Sequence, residues 1–283
     1  MPKLHCDVSE TLMQALLARR AQTGESLSHI VMSSLADTLD VEHSTLFQVS
    51  TAGALVTGVY DGVVTVGELK QHGDFGLGTF DQLDGEMLAL DGRFYHVQST
   101  GAVSEAADSA TVPFAVVTRF RAEHVLALDR VHGFEDLAAR LDAMRRTNNL
   151  FCAVLIEGRF QRVKTRAVCK ASPGESLVAA AAQEAEFVVA NKAGRMAGFW
   201  SPPFASSLNV AGWHLHFLSD DHTGGGHVLD CDGAGLCAKI QELADVRIAL
   251  PETAAFLQTD LSHDPSRELD VAERGGLRRH VSK

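Results

Sequence analysis

The sequence predicts an α+β fold: mixed β-sheets with few helices in a two-part main region, preceded by a small strand-helix-helix arm. Three observations carry that expectation. Residues 1–42 hold two segments with helix-capping residues and helical apolar spacing. From Ser44 onward the texture changes to short apolar runs broken by glycine turns, the pattern of strands and hairpins. Late in the chain, GWHLHFLSDDHTGGGHVLD (residues 212–230) alternates large apolar residues with histidines and then turns on three glycines.

In the arm, Leu4, Cys6 and Val8 alternate with Lys3, His5 and Asp7, as in a short strand. Ser9 suits the N-cap of a helix carrying Leu12, Leu16 and Leu17 and stopping near Gly24. Ser26 then caps a second helix with Ile30, Val31, Leu35 and Leu39 on one side. Strand, helix, turn, helix resembles the ribbon-helix-helix module, which pairs through its strand and usually binds DNA with that ribbon. The charge resists DNA: Lys3, Arg19 and Arg20 stand against Asp7, Glu10, Glu25, Asp37, Asp40 and Glu42, a net of −3. Phosphate contacts dominate DNA affinity, so the arm reads as a dimerisation element. A plain helical hairpin packed on the main region is the alternative.

Whole-chain numbers restrict the function classes. A 283-residue chain with 46% hydrophobic and 22% charged residues is long enough for a substantial core and ordinary for a soluble protein. Its net charge of −11 argues against bulk nucleic-acid or anionic-membrane binding. Cys6, Cys152, Cys169, Cys231 and Cys237 are odd in number and lack C-x-x-C spacing, against a disulfide framework or a thiolate zinc site. Cys231 and Cys237 read as buried thiols flanking a turn. There is no signal-like apolar segment and no long apolar run, so a cytoplasmic protein without membrane contact is expected.

The main region, 43–283, has possible halves at 43–148 and 149–283. In the first, Gly58, Asp61-Gly62, Gly73, Gly76, Gly78, Asp84-Gly85 and Asp91-Gly92 punctuate the strands. Glu86 follows one such turn and is either an exposed strand-start residue or an inward acid/base group; periodicity alone favours the exposed reading. A strand is expected at 112–120 and an amphipathic helix at 134–146 with Leu137, Leu141 and Met144 inward. In the second half, 151–156, a Glu157-Gly158 turn and 159–168 read as a hairpin. Its second arm carries Arg159, Arg162, Lys164 and Arg166, mostly a solvated face. One inward arginine among them could hold a carboxylate in its planar fork. A helix at 175–183, strands at 187–190, 196–200 and 236–250, a short helix after Pro251 and a polar tail from Asp260 complete the reading.

On a strand, residues two apart share a face, so His214 and His216 project together while Trp213, Leu215 and Phe217 cover the other side. A hairpin through Ser219–Gly226 brings His227 back beside them; His222 stays at the surface of the turn. Three imidazoles from neighbouring strands, open on one side, form a ligand set suited to catalytic Zn²⁺, and also to iron, copper or nickel. Histidine pairs at this spacing are otherwise common as solvated or core side chains.

The blocks VSTAGALVTGVYDG, HGDFGLGTFDQLDGEMLALDGRFYHV, VPFAVVTRF, KTRAV, GFWSPPF and NVAGWHLHFLSDDHTGGGHVLD, in that order, resemble the α-acetolactate decarboxylase family. The resemblance runs from about Leu46 through the C-terminal helix and leaves out the first 42 residues. It implies metal ligands at His214, His216 and His227, an active-site glutamate at Glu86 with Thr79 nearby, and a substrate-binding arginine at Arg166. A second active-site glutamate would fall on Glu273. The implied reaction turns (S)-2-acetolactate into (R)-acetoin and CO₂ with a divalent metal such as Zn²⁺ and no organic cofactor; a homodimer is expected separately, because the arm's exposed strand needs a partner. Two rivals remain at this level: a metal-containing ligand sensor with a DNA-binding arm, and a three-histidine metal hydrolase.

Overall fold

A computed structural model describes residues 5–39, 44–172 and 174–273. The chain divides into two compact units, one within residues 1–43 and one from residue 44 onward.

The first unit is a helical pair, α1 (Glu10–Thr23) and α2 (Leu27–Leu39). The Ser9 hydroxyl accepts from the Leu12 amide at 3.2 Å, and Gly24 closes α1 at φ 74°, the left-handed conformation glycine favours. Ser26 accepts from the His29 amide at 3.0 Å and opens α2. The strand expected around Leu4–Val8 does not form: residues 5–9 are irregular, and Leu4 lies outside the described residues. The physical reason is that a strand exists by pairing, and a single copy offers this one no ladder partner. Leu12, Met13, Leu17, Met32, Leu35 and Leu39 remain exposed.

The second unit contains two large sheets. Its first half supplies β1 (Thr45–Val49), α3 (Ala52–Val56), β2 (Val64–Thr65), α4 (Val66–His72), β3 (Phe75–Thr79), β4 (Glu86–Leu90), β5 (Arg93–Val97), β6 (Val103–Glu105), β7 (Thr111–Val112) and β8 (Phe114–Thr118). Pro113, which has no N–H to give a ladder, separates β7 from β8 where one strand was expected. Next come β9 (His124–His132), α5 (Gly133–Asp142), β10 (Phe151–Ala167), α6 (Leu177–Ala181), β11 (Ala185–Ser201), β12 (Gly212–Ser219), β13 (Gly225–Leu243) and β14 (Asp245–Ala249). The chain continues through α7 (Ala254–Gln258) and α8 (Ser266–Glu273).

Seven strands form a mixed sheet in the order β14-β1-β8-β3-β4-β5-β6, with only β1 and β14 parallel. The second sheet is antiparallel, β10-β11-β12-β13-β9, and β10 also pairs with β13, so four of its strands close on themselves. The sheets do not divide at residue 148: β9 joins the second sheet and β14 the first. One apolar core lies between the sheets (Leu77, Leu88, Val116, Ala153, Ala197, Leu218). A second, including Phe160, Phe217 and Ile156, fills the closed sheet beneath α5, and a third covers the far side of the mixed sheet. With both faces covered, β3, β4 and β8 are buried at every residue and read as continuous apolar runs.

Several local expectations give way to long-range pairing. Glu157-Gly158 is no turn: β10 runs unbroken for 17 residues, with a register shift against β13 between Glu157 and Phe160. The two short strands expected at 187–200 merge into one 17-residue β11, since β10 pairs along its whole length. The strand expected over 236–250 instead breaks at Ala244, and Asp245–Ala249 joins the other sheet. Cys231 and Cys237 accordingly sit within β13, with no turn between them, and only Cys231 is fully buried. The helix at 134–146 ends early, at Asp142. Among the described residues no helix is long and apolar enough to cross a membrane.

Candidate active site

The site grows from the β12–β13 hairpin. Trp213 through Ser219 are all buried, and the pleat places His214 and His216 on one face. Ser219 builds the turn: its amide donates to Gly224 O at 2.9 Å, and its hydroxyl accepts from the Gly224 and Thr223 amides. The returning strand sets His227 directly opposite His216, and β10 on the other side sets Arg166 directly opposite His227. Gly226, at φ 121°, must be glycine, because a Cβ there would lie 2.3 Å from Arg166 O.

The three imidazoles are buried and mutually close, with ring centroids 4.9–5.5 Å apart. Their ligand nitrogens lie within 4.8 Å of one another. A carbonyl can only accept, so His216 Nδ1–H donates to Met87 O at 2.9 Å and His227 Nε2–H donates to Glu273 O at 3.0 Å. Each bond fixes the proton on the outer nitrogen, leaving His216 Nε2 and His227 Nδ1 with lone pairs for a cation. His214 Nε2 stands 3.2 Å from His216 Nε2. Burial, and then the positive charge of Arg166, push His214 down to about 3. Burial followed by His214 takes His216 to the same level, and His227 is held well below its ordinary value for like reasons. Three neutral imidazoles without competing protons are the donor set a divalent transition metal takes.

Two carboxylates flank this cluster. Thr79 on β3 and Glu86 on β4 are cross-strand partners, joined by a turn at Gly85. Gly85 has φ 78° and would carry a Cβ 2.3 Å from Val97 O, so no side chain fits there. Thr79 Oγ1 donates to Gly85 O at 2.7 Å, and Gly85 N donates to Val168 O at 3.1 Å. The turn is thereby locked, and Glu86 points inward: it is 6% exposed, with Oε2 3.5 Å from His216 Nε2. Burial pushes its carboxyl up to about 8, against the opposing pull of Arg166. Glu273, at the end of α8, has Oε2 3.6 Å from His214 Nε2, 3.5 Å from His227 Nδ1 and 3.3 Å from Arg166 Nη2.

Arg166 is 3% exposed. Burial opposes its charge, but Glu273 and Glu184 more than offset that and hold it charged. Its Nη1 donates to the Glu184 carboxylate and to Ala272 O, while Nε has no hydrogen-bond partner.

Thr79, Glu86, Arg166, His214, His216, His227 and Glu273 thus all line one small cavity of about 50 Å³. Its remaining wall is apolar, from residues such as Leu55, Phe114, Val210 and Leu269. Of the other charges on β10, Arg159 donates to Asn191 O, Arg162 pairs with Asp230 and Asp232, and Lys164 pairs with Glu186, all away from the cavity. His222 is exposed, its ring 4.9 Å from that of Tyr95. Glu184 was missed in the sequence: it lies in an irregular connection where no periodicity marks it.

A buried arginine, a buried acid and a three-imidazole cluster lining one largely apolar cavity suit chemistry on a small carboxylate that chelates a metal. The family model for alpha-acetolactate decarboxylase matches residues 46–263. The chain is 37% identical to the alpha-acetolactate decarboxylase of Methanosarcina mazei over 251 residues, covering 88% of this chain and 86% of that one. It is 38% identical to that of Brevibacillus brevis over 229 residues, 81% of this chain and 80% of the relative. The crystal structure of alpha-acetolactate decarboxylase from Bacillus subtilis strain 168 superposes with a TM-score of 0.78 at 33% identity, covering 81% of this chain and 99% of that one. The fold, the cavity and these likenesses agree, and the chain belongs to the α-acetolactate decarboxylase family.

Proposed function

We propose that this chain is a carboxy-lyase that converts (S)-2-acetolactate to (R)-acetoin and CO₂, serving acetoin and butanediol formation. The observation that carries the reading is the convergence of Arg166, Glu86, Glu273 and three histidines on one cavity. His214, His216 and His227 would hold a divalent cation, with Zn²⁺ the first choice for a three-imidazole set open on one side. When bound, the ion supplies the Lewis acidity that draws in the electron pair freed as the carboxylate leaves.

The chain's own residues do the rest. Arg166 holds the substrate carboxylate through its planar fork and orients the C–C bond to be broken across the carbonyl plane. Glu86, whose carboxyl is pushed up by burial and faces the histidine cluster, is placed to deliver a proton to one face of the carbon that lost CO₂. A single-sided donor gives a single-handed product. Thr79 keeps the Gly85 turn in place and so aims Glu86. Glu273 bridges Arg166 and two histidines, orienting both groups and acting as the second proton-transfer candidate. The apolar wall excludes water and receives the substrate's methyl groups.

The arm fits a homodimer. Its exposed Leu12, Leu17, Met32 and Leu35 and the irregular residues 5–9 before α1 call for a second copy, while its net charge of −3 speaks against DNA. Five free thiols fit a cytoplasmic setting.

The deciding experiment is metal analysis of the purified protein alongside an acetoin assay on racemic 2-acetolactate. Stoichiometric metal with (R)-acetoin formation is expected. Turnover that persists after complete metal removal would overturn the role given to the three histidines, and absence of acetoin from the metal-loaded protein would overturn the reaction.

A further inference from the structure

A guanidinium has five donors, and the fold allots those of Arg166 unevenly. Nη1 is used twice, by the Glu184 carboxylate and by Ala272 O. Nη2 lies 3.3 Å from Glu273, and Nε, fully buried, has no partner. Nε and Nη2 together form one planar edge, the edge whose two parallel N–H bonds match the oxygens of a carboxylate. Glu184 occupies the opposite side. It sits in the connection between α6 and β11, its side chain is 11% exposed, and it is not part of the cavity wall.

Without Glu184, Glu273 would be the one carboxylate still paired with Arg166. The guanidinium would then turn to meet it with the same edge, spending the donors that a substrate needs.

We propose that Glu184 is a positioning residue: it grips Arg166 by Nη1 so that Glu273 meets the Nε–Nη2 edge through Nη2 alone, and Nε stays open to the substrate's carboxylate. The inference rests on the reading of Arg166 as the carboxylate anchor. It predicts an asymmetric defect, because acetoin fills the same cavity but has no carboxylate.

The test measures three quantities in wild type, Glu184→Gln and Glu184→Asp: metal content, KM for 2-acetolactate, and the inhibition constant of acetoin. In Glu184→Gln we expect KM to rise ~10–100-fold, the range usual for residues that orient a functional group from behind. Metal content and the acetoin constant should stay at wild-type values, and Glu184→Asp should recover part of the lost affinity. An unchanged KM in Glu184→Gln overturns the inference while leaving the decarboxylase reading intact. So does a parallel loss of metal, acetoin affinity and substrate affinity in both variants, which would make Glu184 a general brace of the fold. A wild type that forms no acetoin removes the decarboxylase reading and this inference with it.

Discussion

Glu86→Gln separates the chemistry of Glu86 from its cost to the fold. Gln keeps the shape, and its carbonyl oxygen still accepts from Val168 N, which reaches Glu86 Oε1 at 3.4 Å. It removes the proton. Losing a positioned general acid costs ~10²–10⁴ in rate, so kcat should fall by that range with metal content unchanged. Residual product should approach a racemate, because solvent reaches both faces of the carbon. The stability effect follows from the raised pKa. In the metal-free protein the carboxyl titrates at about 8, against an ordinary 4.5. The folded state therefore binds this proton more tightly than the unfolded state does. Glu86 costs nothing below pH 4.5, and its cost grows as pH rises until it levels off above about 8. At pH 7 ionisation penalties of this size are on the order of 3 kcal/mol. Chelated Glu86→Gln should accordingly gain on wild type between pH 5 and pH 8 in urea melts, by roughly that amount. The assays are chiral product analysis and paired melts across pH. A wild-type rate with (R)-acetoin still in excess, or a stability difference flat with pH, would refute the assignment of a buried, protonated donor.

Other expectations follow from the same geometry. His216→Ala should abolish metal content and turnover together, checked by metal analysis and acetoin formation, since it removes the ligand oriented by Met87 O. Arg166→Lys should lower kcat/KM about 100-fold, because a point charge cannot reproduce a planar fork or its alignment. With His214 and His216 at about 3, metal uptake at pH 6 should release almost no protons, which calorimetry in buffers of different ionisation heat will read. The same depressed values mean that the unfolded chain binds more protons below pH 6.5, so the chelated protein should lose stability as pH falls from 6.5 toward 3. In the arm, Leu12→Glu with Leu35→Glu should shift the full-length chain from dimer to monomer in light scattering.

Much of the site was legible because its signals are local. Alternation puts His214 and His216 on one face, and a glycine hairpin can only return His227 to their side. Ser9, Gly24 and Ser26 likewise mark helix ends through bonds spanning three or four residues. Turns were less secure: Glu157-Gly158 looks like a hairpin apex, yet pairing on both sides keeps β10 extended through it.

Sequence by itself determined the three-histidine cluster, the α+β class and, through the ordered blocks, the family. Tertiary structure alone decided which charges belong with that trio. Arg162, Lys164 and Arg166 share one parity along β10, yet only Arg166 is buried, because Ala272 O and the carboxylates of Glu184 and Glu273 close over it. Glu86 turns inward because the locked Gly85 turn meets Val168 at the end of β10, more than eighty residues away in the chain. A side chain's charge is written in the sequence, but the desolvation that makes it useful comes from segments that only folding brings near.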